Sequence, residues 1–285
     1  MAKGTALTIG LNSVDPGHYQ GWSGDLVACE ADAQDMAQIA RSRGFTTTSL
    51  MTKQATRGAV AQALRAAAQS LSTGDIFVLS YSGHGGQLPD LNSDEDDGED
   101  ETWCLFDGEL VDDELYAALS AFAAGVRVLV FSDSCHSGTV VKLAYYTAPG
   151  TASPAARAAR GYSDRGGETR FRVMPSNVAL RTYQANQAEY DKILKDRSLR
   201  ESRAAVKASV LLVSGCQDNQ LSADGTFNGL FTGTLKQVWN AGKFRGSYHT
   251  FHKRIVNRMP PDQSPNYFTV GPTNAAFEAQ RPFTI

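Results

Sequence analysis

The chain has 285 residues, a formal net charge of −3 and 42% hydrophobic residues, which is enough for a complete core without an excess of basic charge. This balance argues against a nucleic-acid-binding surface, and no apolar run approaches the roughly 18 residues that a membrane-spanning helix needs. The four cysteines lack a paired CxxC spacing, which argues against a zinc site and a disulfide scaffold. We therefore expect a cytoplasmic protein with reduced cysteines and neither a membrane nor a nucleic-acid partner.

The first part of the chain alternates between strand-like and helix-like segments. Residues 6–11 form an apolar strand-like run, and a helix follows that begins near Cys29 and ends at Gly44. A second strand-like run at 45–51 and a second amphipathic helix precede a third apolar run at 76–81. This alternation is typical of a parallel sheet with helices over its faces, so the sequence predicts an α/β fold.

The later part of the chain continues the same pattern with one interruption. A helix is predicted from Asp112, and an apolar run at 126–130 reads as another buried strand. Further strands are predicted at 209–216, where the run ends in a loop, and at 267–270, with amphipathic helices between them. We predict one domain over residues 1–285, without internal repeats.

Two of the apolar runs end in polar turns that carry reactive side chains. The run at 76–81 is followed by Ser-Gly-His84-Gly-Gly, and the run at 126–130 leads into Ser-Asp-Ser-Cys135-His136. Sites in open α/β sheets form beyond the carboxyl ends of the strands. We therefore expect His84 and Cys135 to meet there, although 51 positions separate them.

The pair has the chemistry of a nucleophile and its base. A thiol attacks a carbonyl as the thiolate, so Cys135 needs a nearby histidine to take its proton and later give it to the leaving amine. We assign that acid/base role to His84, and the backbone N–H groups of Gly85 and Cys135 are natural oxyanion donors. His136 is a weaker alternative because neighbouring side chains point in different directions. A buried structural role is the alternative for Cys135.

These motifs resemble those of the caspase-like cysteine peptidases, and among them the metacaspase and orthocaspase group of peptidase type C14. The resemblance rests on residues 81–87 and 133–138, with further signatures at 29–32 and 214–220. It implies a caspase-like three-layer sandwich, in which a central, mostly parallel sheet has helices on both faces. It also implies peptide-bond hydrolysis by a Cys-His dyad in a monomer.

The resemblance further implies a large catalytic part at about 5–142 and a small one at 209–285. Between them, residues 143–208 are rich in small and polar residues, and we predict an exposed insertion that is partly helical around 188–199. Exposed loops of this kind are preferred sites of nicking, so an arginine-specific enzyme could cut itself here. A basic surface loop is the alternative for its arginines, which are Arg157, Arg160, Arg165, Arg170, Arg172 and Arg181.

The residue two positions before Cys135 indicates what the substrate pocket selects. Asp133 would repel an acidic side chain and attract a basic one, and arginine fits a carboxylate best because its planar group binds it at two points. The resemblance adds Asp32 and Ser82 to this pocket. Asp32 could instead be an ordinary acid in the first turn of a helix. We predict cleavage after Arg or Lys in protein or peptide substrates.

The acidic loop at 90–101 contains side chains of the kind that bind calcium. It begins like an EF-hand loop, but its sixth position lacks the required glycine, and an acidic run is also typical of a solvated loop. The resemblance implies calcium ligands at Asp100, Asp112 and Asp113, but the fourth ligand position holds Lys142, whose charge would repel the ion. Asp112 could alternatively cap its helix. We predict that no cofactor is required.

The sequence thus favours a cysteine-type endopeptidase, with one alternative from another class. A catalytically inactive relative could use the same fold as a binding or regulatory module. A nucleotide-binding protein is disfavoured because neither GxGxxG nor a P-loop follows the first strand.

Overall fold

A computed structural model describes residues 2–89, 91, 99–134, 170–215, 223–225, 227–261 and 263–285. Helices and strands are numbered in chain order over these residues. In this part of the chain, no helix is long and apolar enough to cross a membrane.

A six-stranded sheet forms the centre of the molecule, in the order β11-β9-β7-β3-β1-β2. All neighbours pair in parallel except β11, which runs antiparallel to β9 at one edge. The predicted α/β fold with a mostly parallel sheet is confirmed. The strands of this sheet are β1 (Gly4–Gly10), β2 (Thr46–Met51), β3 (Ile76–Ser82), β7 (Arg127–Asp133), β9 (Ser209–Ser214) and β11 (Asn266–Val270).

Helices cover both faces of this sheet because its central strands are apolar on both sides. Along β7, Val128 and Val130 face one core, whereas Leu129 and Phe131 face the other. Helices α2 and α3 pack into the first core, and α1, α7, α8 and α9 into the second. The helices are α1 (Cys29–Ser42), α2 (Arg57–Ser70), α3 (Asp112–Ser120), α7 (Leu230–Trp239), α8 (Tyr248–Val256) and α9 (Ala275–Ala279).

A second, three-stranded antiparallel sheet stands at the carboxyl edge of the main sheet. It contains β4 (Gly85–Pro89), β5 (Glu99–Leu105) and β6 (Gly108–Val111). The sequence prediction missed this sheet, and it treated residues 99–101 as part of an acidic loop. These residues pair with β4, and Asp100 is buried. Strand pairing therefore overrides the polar composition here, as it often does for short strands.

The part of the predicted insertion that the structure describes, residues 170–208, exposes many of its side chains and packs on the rest of the domain through a few others. This part contains β8 (Arg170–Phe171), α4 (Ser176–Ala185), α5 (Gln187–Leu194) and α6 (Arg197–Arg200), so the helix predicted around 188–199 is present. Tyr190 and Leu194 are fully buried against Leu88 and Val111. Because a few large apolar residues supply this contact, the average composition of the segment gave no sign of it.

Candidate active site

Three predicted pocket residues meet beyond the carboxyl ends of the strands. Asp32 lies in the first turn of α1, Ser82 ends β3 and Asp133 ends the neighbouring strand β7. All three are buried, and the Ser82 hydroxyl donates a hydrogen bond to Asp32 over 2.9 Å. The parallel pairing of β3 with β7 holds Ser82 directly opposite Asp133. The fold therefore builds one buried acidic pocket from three distant parts of the chain.

The guanidinium of Arg172 fills this pocket. Its Nη2 lies 2.7 Å from Asp32 and 3.0 Å from Asp224, and its Nη1 lies 2.9 Å from Asp133. Nη1 also donates to the Ser82 hydroxyl, at 2.9 Å, and to the backbone carbonyl of Asp133, at 3.2 Å. The Arg172 side chain is 0% exposed. One cation thus faces three carboxylates.

Other backbone and side-chain groups fix the carboxylates in place. The Thr232 hydroxyl donates to Asp133 over 2.7 Å, and the Asn228 amide donates to Asp32 over 2.8 Å. A Cβ atom added at Gly229 would lie 2.5 Å from Nη2 of Arg172, so only glycine leaves room for the guanidinium there. These contacts make the pocket rigid and closely fitted.

The electrostatics of the pocket favour a bound cation. Burial raises the pKa of Asp32, and the charge of Arg172 opposes that rise. Burial alone would lower the pKa of Arg172, but the surrounding anions, first among them Asp133, raise it well above its ordinary value. Buried carboxylates without a partner are costly, so a neutral or acidic side chain would be a poor occupant.

His84 lies next to the pocket with one ring nitrogen already engaged. Its Nε2 is 2.9 Å from the backbone carbonyl of Gly24. Because a carbonyl only accepts, Nε2 carries the proton and Nδ1 is left as the basic atom. Nδ1 is buried without a hydrogen-bond partner among the described residues. Burial lowers the pKa of His84 to about 4, so the ring is neutral at pH 7 and able to accept a proton.

Contacts of Tyr81 fix the backbone around His84. The Tyr81 hydroxyl donates to the His84 carbonyl over 2.7 Å, and the Tyr81 ring stacks on Trp103 with centroids 4.4 Å apart. Gly85 follows at the start of β4, and its N–H donates to the carbonyl of Arg172 over 3.0 Å. The N–H that the sequence predicted as an oxyanion donor therefore points at the peptide carbonyl of the residue in the pocket.

Cys135 lies outside the described residues, as do His136 and Lys142. Ser134, the residue before Cys135, follows the end of β7, and its side chain is buried. The distance between the predicted nucleophile and His84 therefore stays a prediction. Cys29 and Cys104 are buried, and burial raises the pKa of the Cys29 thiol to about 12. Both described cysteines are thus poor nucleophiles.

The predicted calcium ligands do not form a site by themselves. Within the described ranges, no group of three or more His, Cys, Asp or Glu side chains is arranged to hold a metal ion. Asp112 and Asp113 open α3, where the Asp113 N–H donates to the Asp112 carboxylate, and the cap position belongs to Val111 rather than Asp112. These two acids share a cavity with Arg200 and Arg203. Acids in the first turn favour a helix without any metal.

Sequence reasoning missed two residues of this site. Asp224 completes the pocket from β10 (Ala223–Asp224), and Gly24 orients His84 from an irregular loop. Neither belongs to a motif or to a periodic pattern, so the sequence gave no signal for them. The sequence pointed to Arg172 only as one of six arginines in an exposed loop, which could be cut or could form a basic surface, and not as a residue of the pocket.

Comparisons with known proteins agree with this architecture. The family model described as "Caspase domain" matches residues 3–277. Metacaspase-1 of Kluyveromyces lactis is 30% identical over 81% of this chain, and that of Pyricularia oryzae is 30% identical over 90%. The chain spans 56% of the length of the first and 67% of the second.

Two solved structures are also similar to this chain. A crystal structure of a Geobacter sulfurreducens protein is 60% identical, covers 99% of this chain and 98% of its own, and superimposes with a TM-score of 0.85. Caspase-1 from Spodoptera frugiperda shares the fold at 10% identity, with a TM-score of 0.51 over 95% of this chain and 86% of its own. With a family match over nearly the whole length and the predicted parallel sheet in place, the chain belongs to the caspase-domain family.

Proposed function

We propose that this protein is a cysteine endopeptidase that hydrolyses peptide bonds after arginine, and less efficiently after lysine. Cys135 is the nucleophile, His84 the acid and base, and the Gly85 N–H one of the oxyanion donors. Asp32, Ser82, Asp133 and Asp224 form the pocket for the basic side chain. Its substrates are proteins or peptides with accessible basic residues.

The observation that carries this proposal is the arginine in the pocket. A guanidinium is bound by three buried carboxylates, and the carbonyl of the same residue accepts a hydrogen bond from the Gly85 N–H. The planar, five-donor guanidinium uses several acceptors at once, whereas the ammonium of lysine is a single point charge. Lysine therefore satisfies fewer of these acceptors.

The chemistry needs only groups that the chain supplies. Neutral His84 takes the thiol proton of Cys135 at Nδ1, and the resulting thiolate attacks the carbonyl carbon. The Gly85 N–H stabilises the charge that develops on the carbonyl oxygen. The proton on Nδ1 then passes to the departing amine, and water hydrolyses the thioester.

Fluorogenic peptides that differ only in the residue before the cut test this proposal. We expect turnover with arginine, slower turnover with lysine and none with aspartate, and Cys135→Ala should abolish all of it. The same occupied pocket also suits the alternative of an inactive binding module, because a filled site admits no substrate. No turnover of any peptide by the wild-type chain or by a variant with an emptied pocket, with or without calcium, would favour the module.

A further inference from the structure

The indole of Trp22 lies against the imidazole of His84, the proposed acid and base. The two ring centroids are 4.7 Å apart, and the ring planes are inclined by 56°. Two residues further along, the backbone carbonyl of Gly24 accepts the hydrogen bond from Nε2 of the same imidazole. One short stretch of chain therefore supplies both a ring contact and a hydrogen bond to the histidine.

Close packing at this contact fixes the orientation of the imidazole. A Cβ atom added at Gly24 would lie 2.9 Å from the Trp22 ring and 3.1 Å from the His84 ring, so the three residues leave little space between them. His84 is 5% exposed, whereas Trp22 is half-buried and still reaches solvent. The indole thus covers part of the imidazole while the carbonyl of Gly24 holds Nε2, and Nδ1 is left as the basic atom.

The contact also affects the protonation of His84. Burial is the largest cause of its lowered pKa, and the hydrogen bond to Gly24 opposes that effect. Two charged residues act on the ring as well, since Arg172 lowers the pKa and Asp224 raises it. The indole contributes burial without adding a charge. A smaller side chain at this position would admit water and bring the pKa of His84 back towards 6.5.

Buried contacts support the loop that carries Trp22. The Val14 N–H donates to the carbonyl of Ser23 over 2.9 Å, which closes the loop. Tyr19 is 0% exposed, and its hydroxyl donates to the carbonyl of Leu105 over 2.8 Å. The rings of Tyr19 and Trp22 meet edge to face, with centroids 6.0 Å apart. A fixed tyrosine therefore supports the indole.

Helix α5 is linked to the same loop through Tyr190. The Tyr190 hydroxyl accepts the N–H of Glu109 at 3.0 Å, so it donates its own proton to Nε2 of His18, which lies 2.8 Å away. Burial lowers the pKa of His18, which keeps this nitrogen able to accept. The His18 ring in turn packs edge to face on Tyr19, with centroids 5.0 Å apart. The helix thus contacts the loop two residues' side chains away from the indole.

We propose that Trp22 is a positioning residue for His84, and that α5 holds Trp22 in place through Tyr190, His18 and Tyr19. This proposal rests on the acid and base role proposed above for His84. The rings form one continuous series of contacts from α5 to the imidazole. Trp22 acts through the imidazole, by fixing its orientation and excluding water from it, and takes no part in making or breaking bonds.

The first test is the titration of His84, followed by NMR in a Cys135→Ala background. Trp22→Leu should raise the pH at which the ring titrates by about one unit, because water reaches the imidazole, and Trp22→Phe should restore most of the parent value. Trp239→Leu is the matched control, since it removes a buried indole at the end of α7 remote from the pocket. It should lower Tm and leave the titration of His84 unchanged. A Trp22→Leu variant that titrates like its parent would overturn the proposal.

The second test is the hydrolysis of an arginine peptide by variants with Cys135 intact. Trp22→Leu should lower kcat roughly tenfold with little change in KM, because the imidazole is misplaced while the acidic pocket is untouched. The pH below which kcat/KM falls should also move upwards. Trp22→Phe should recover most of both losses.

The role of α5 is tested with Tyr190→Phe, which removes the hydroxyl that bonds to His18. It should change kcat and the pH profile in the same direction as Trp22→Leu, by less. Tyr183→Phe removes a hydroxyl bonded to Asp191 on the neighbouring helix, and as the matched control it should change neither. The double variant of Trp22→Leu and Tyr190→Phe should behave like Trp22→Leu alone, because Tyr190 acts through the indole. Additive losses would refute the link to α5.

Failure of this inference and failure of the proposed function are distinguishable. If peptides were hydrolysed and Trp22→Leu changed stability without changing kcat or the titration of His84, the inference would fall and the peptidase would stand. If no variant hydrolysed any peptide but Trp22→Leu still shifted the titration, the effect of Trp22 on the imidazole would be confirmed and the proposed function would fall.

Discussion

Two buried arginines, at opposite ends of the main sheet, are held in contrasting ways. Arg127 begins β7 and donates to neutral acceptors, which are the Gln280 side chain and the carbonyls of Gly74 and Thr284. Arg172 lies beyond the other end of β7, where three carboxylates surround it. Burial lowers the pKa of Arg127, whereas the anions raise the pKa of Arg172 against the effect of its burial.

The contrast distinguishes an arginine that links parts of the fold from an arginine that occupies an acidic pocket. The neutral acceptors around Arg127 tie the C-terminal residues Gln280 and Thr284 to the sheet. The three carboxylates around Arg172 exceed what one cation needs, so the pocket without it would hold uncompensated buried charge. A site of that kind has affinity for any arginine that can reach it. The predictions below test this difference, from the largest expected effect to the smallest.

Asp133→Asn should cause the largest loss of activity. Removing one partner of a buried charge pair costs about 2–5 kcal/mol, so we expect kcat/KM for an arginine peptide to fall by a factor of roughly 30 to 4,000. Arg127→Gln is the control at the opposite end of β7. It should lower the free energy of unfolding by about 1–3 kcal/mol through lost hydrogen bonds and leave kcat/KM unchanged. Peptide kinetics and urea unfolding of both variants measure the difference. Equal losses of activity would refute it.

The pH dependence of stability should contain two opposing contributions. Burial lowers the pKa of His84 from 6.5 to about 4, so the unfolded chain binds this proton first and stability falls as the pH drops through that range. Burial raises the pKa of Glu109 from 4.5 to about 7, so stability falls as the pH rises through that range. Each contribution is about 3 kcal/mol, and the two largely cancel.

Replacing either side chain should leave the pH dependence of stability that the other side chain causes. In a Cys135→Ala background, which lacks the proposed nucleophile, Glu109→Gln should be less stable at pH 4.5 than at pH 7. His84→Asn in the same background should be less stable at pH 7 than at pH 4.5. Urea midpoints at the two pH values provide the measurement. A His84→Asn variant with the same pH dependence as its parent would show that this histidine is not buried as described.

The smallest effect compares two glycines with positive φ. Gly24 has φ +54°, and a Cβ there would lie 2.9 Å from Trp22 and 3.1 Å from the His84 ring. Gly74 has φ +91°, lies at the opposite edge and has open space around it. Gly74→Ala should cost about 1 kcal/mol of stability from backbone strain alone. Gly24→Ala should in addition lower kcat about tenfold by displacing the histidine, an amount equal to 1.4 kcal/mol. Matching kcat values for the two variants would contradict this.

Local patterns were enough to predict the main sheet and part of the pocket. Apolar runs of strand length and helical repeats predicted the central strands and α1 within a few residues of their observed ends. Asp133 was proposed from its place two residues before Cys135, whereas Asp32 and Ser82 were added by the resemblance to the caspase-like peptidases. The rule that sites form beyond the carboxyl ends of parallel strands placed the site at this edge of the sheet, but it did not predict that Arg172 would lie there.

The features that the sequence did not reveal depend on contacts between distant residues. Asp224 lies in a two-residue strand that exists only because it pairs with β8. Arg172 looked like a surface residue because arginines are seldom buried unless they are paired, and its partners lie up to 140 positions away. Strands β4 to β6 were missed because their polar residues carry no alternating pattern, and pairing supplies the order instead.

For the proposed peptidase, the carbonyl of Gly85 would extend selectivity to the departing side of a substrate. It accepts the N–H of Met174, two residues after the arginine that fills the pocket. Proline has no N–H to offer. Peptides in which proline follows the arginine by two positions should therefore be poor substrates even when their arginine is fully accessible, and the chain itself carries its proline one step further on, at Pro175.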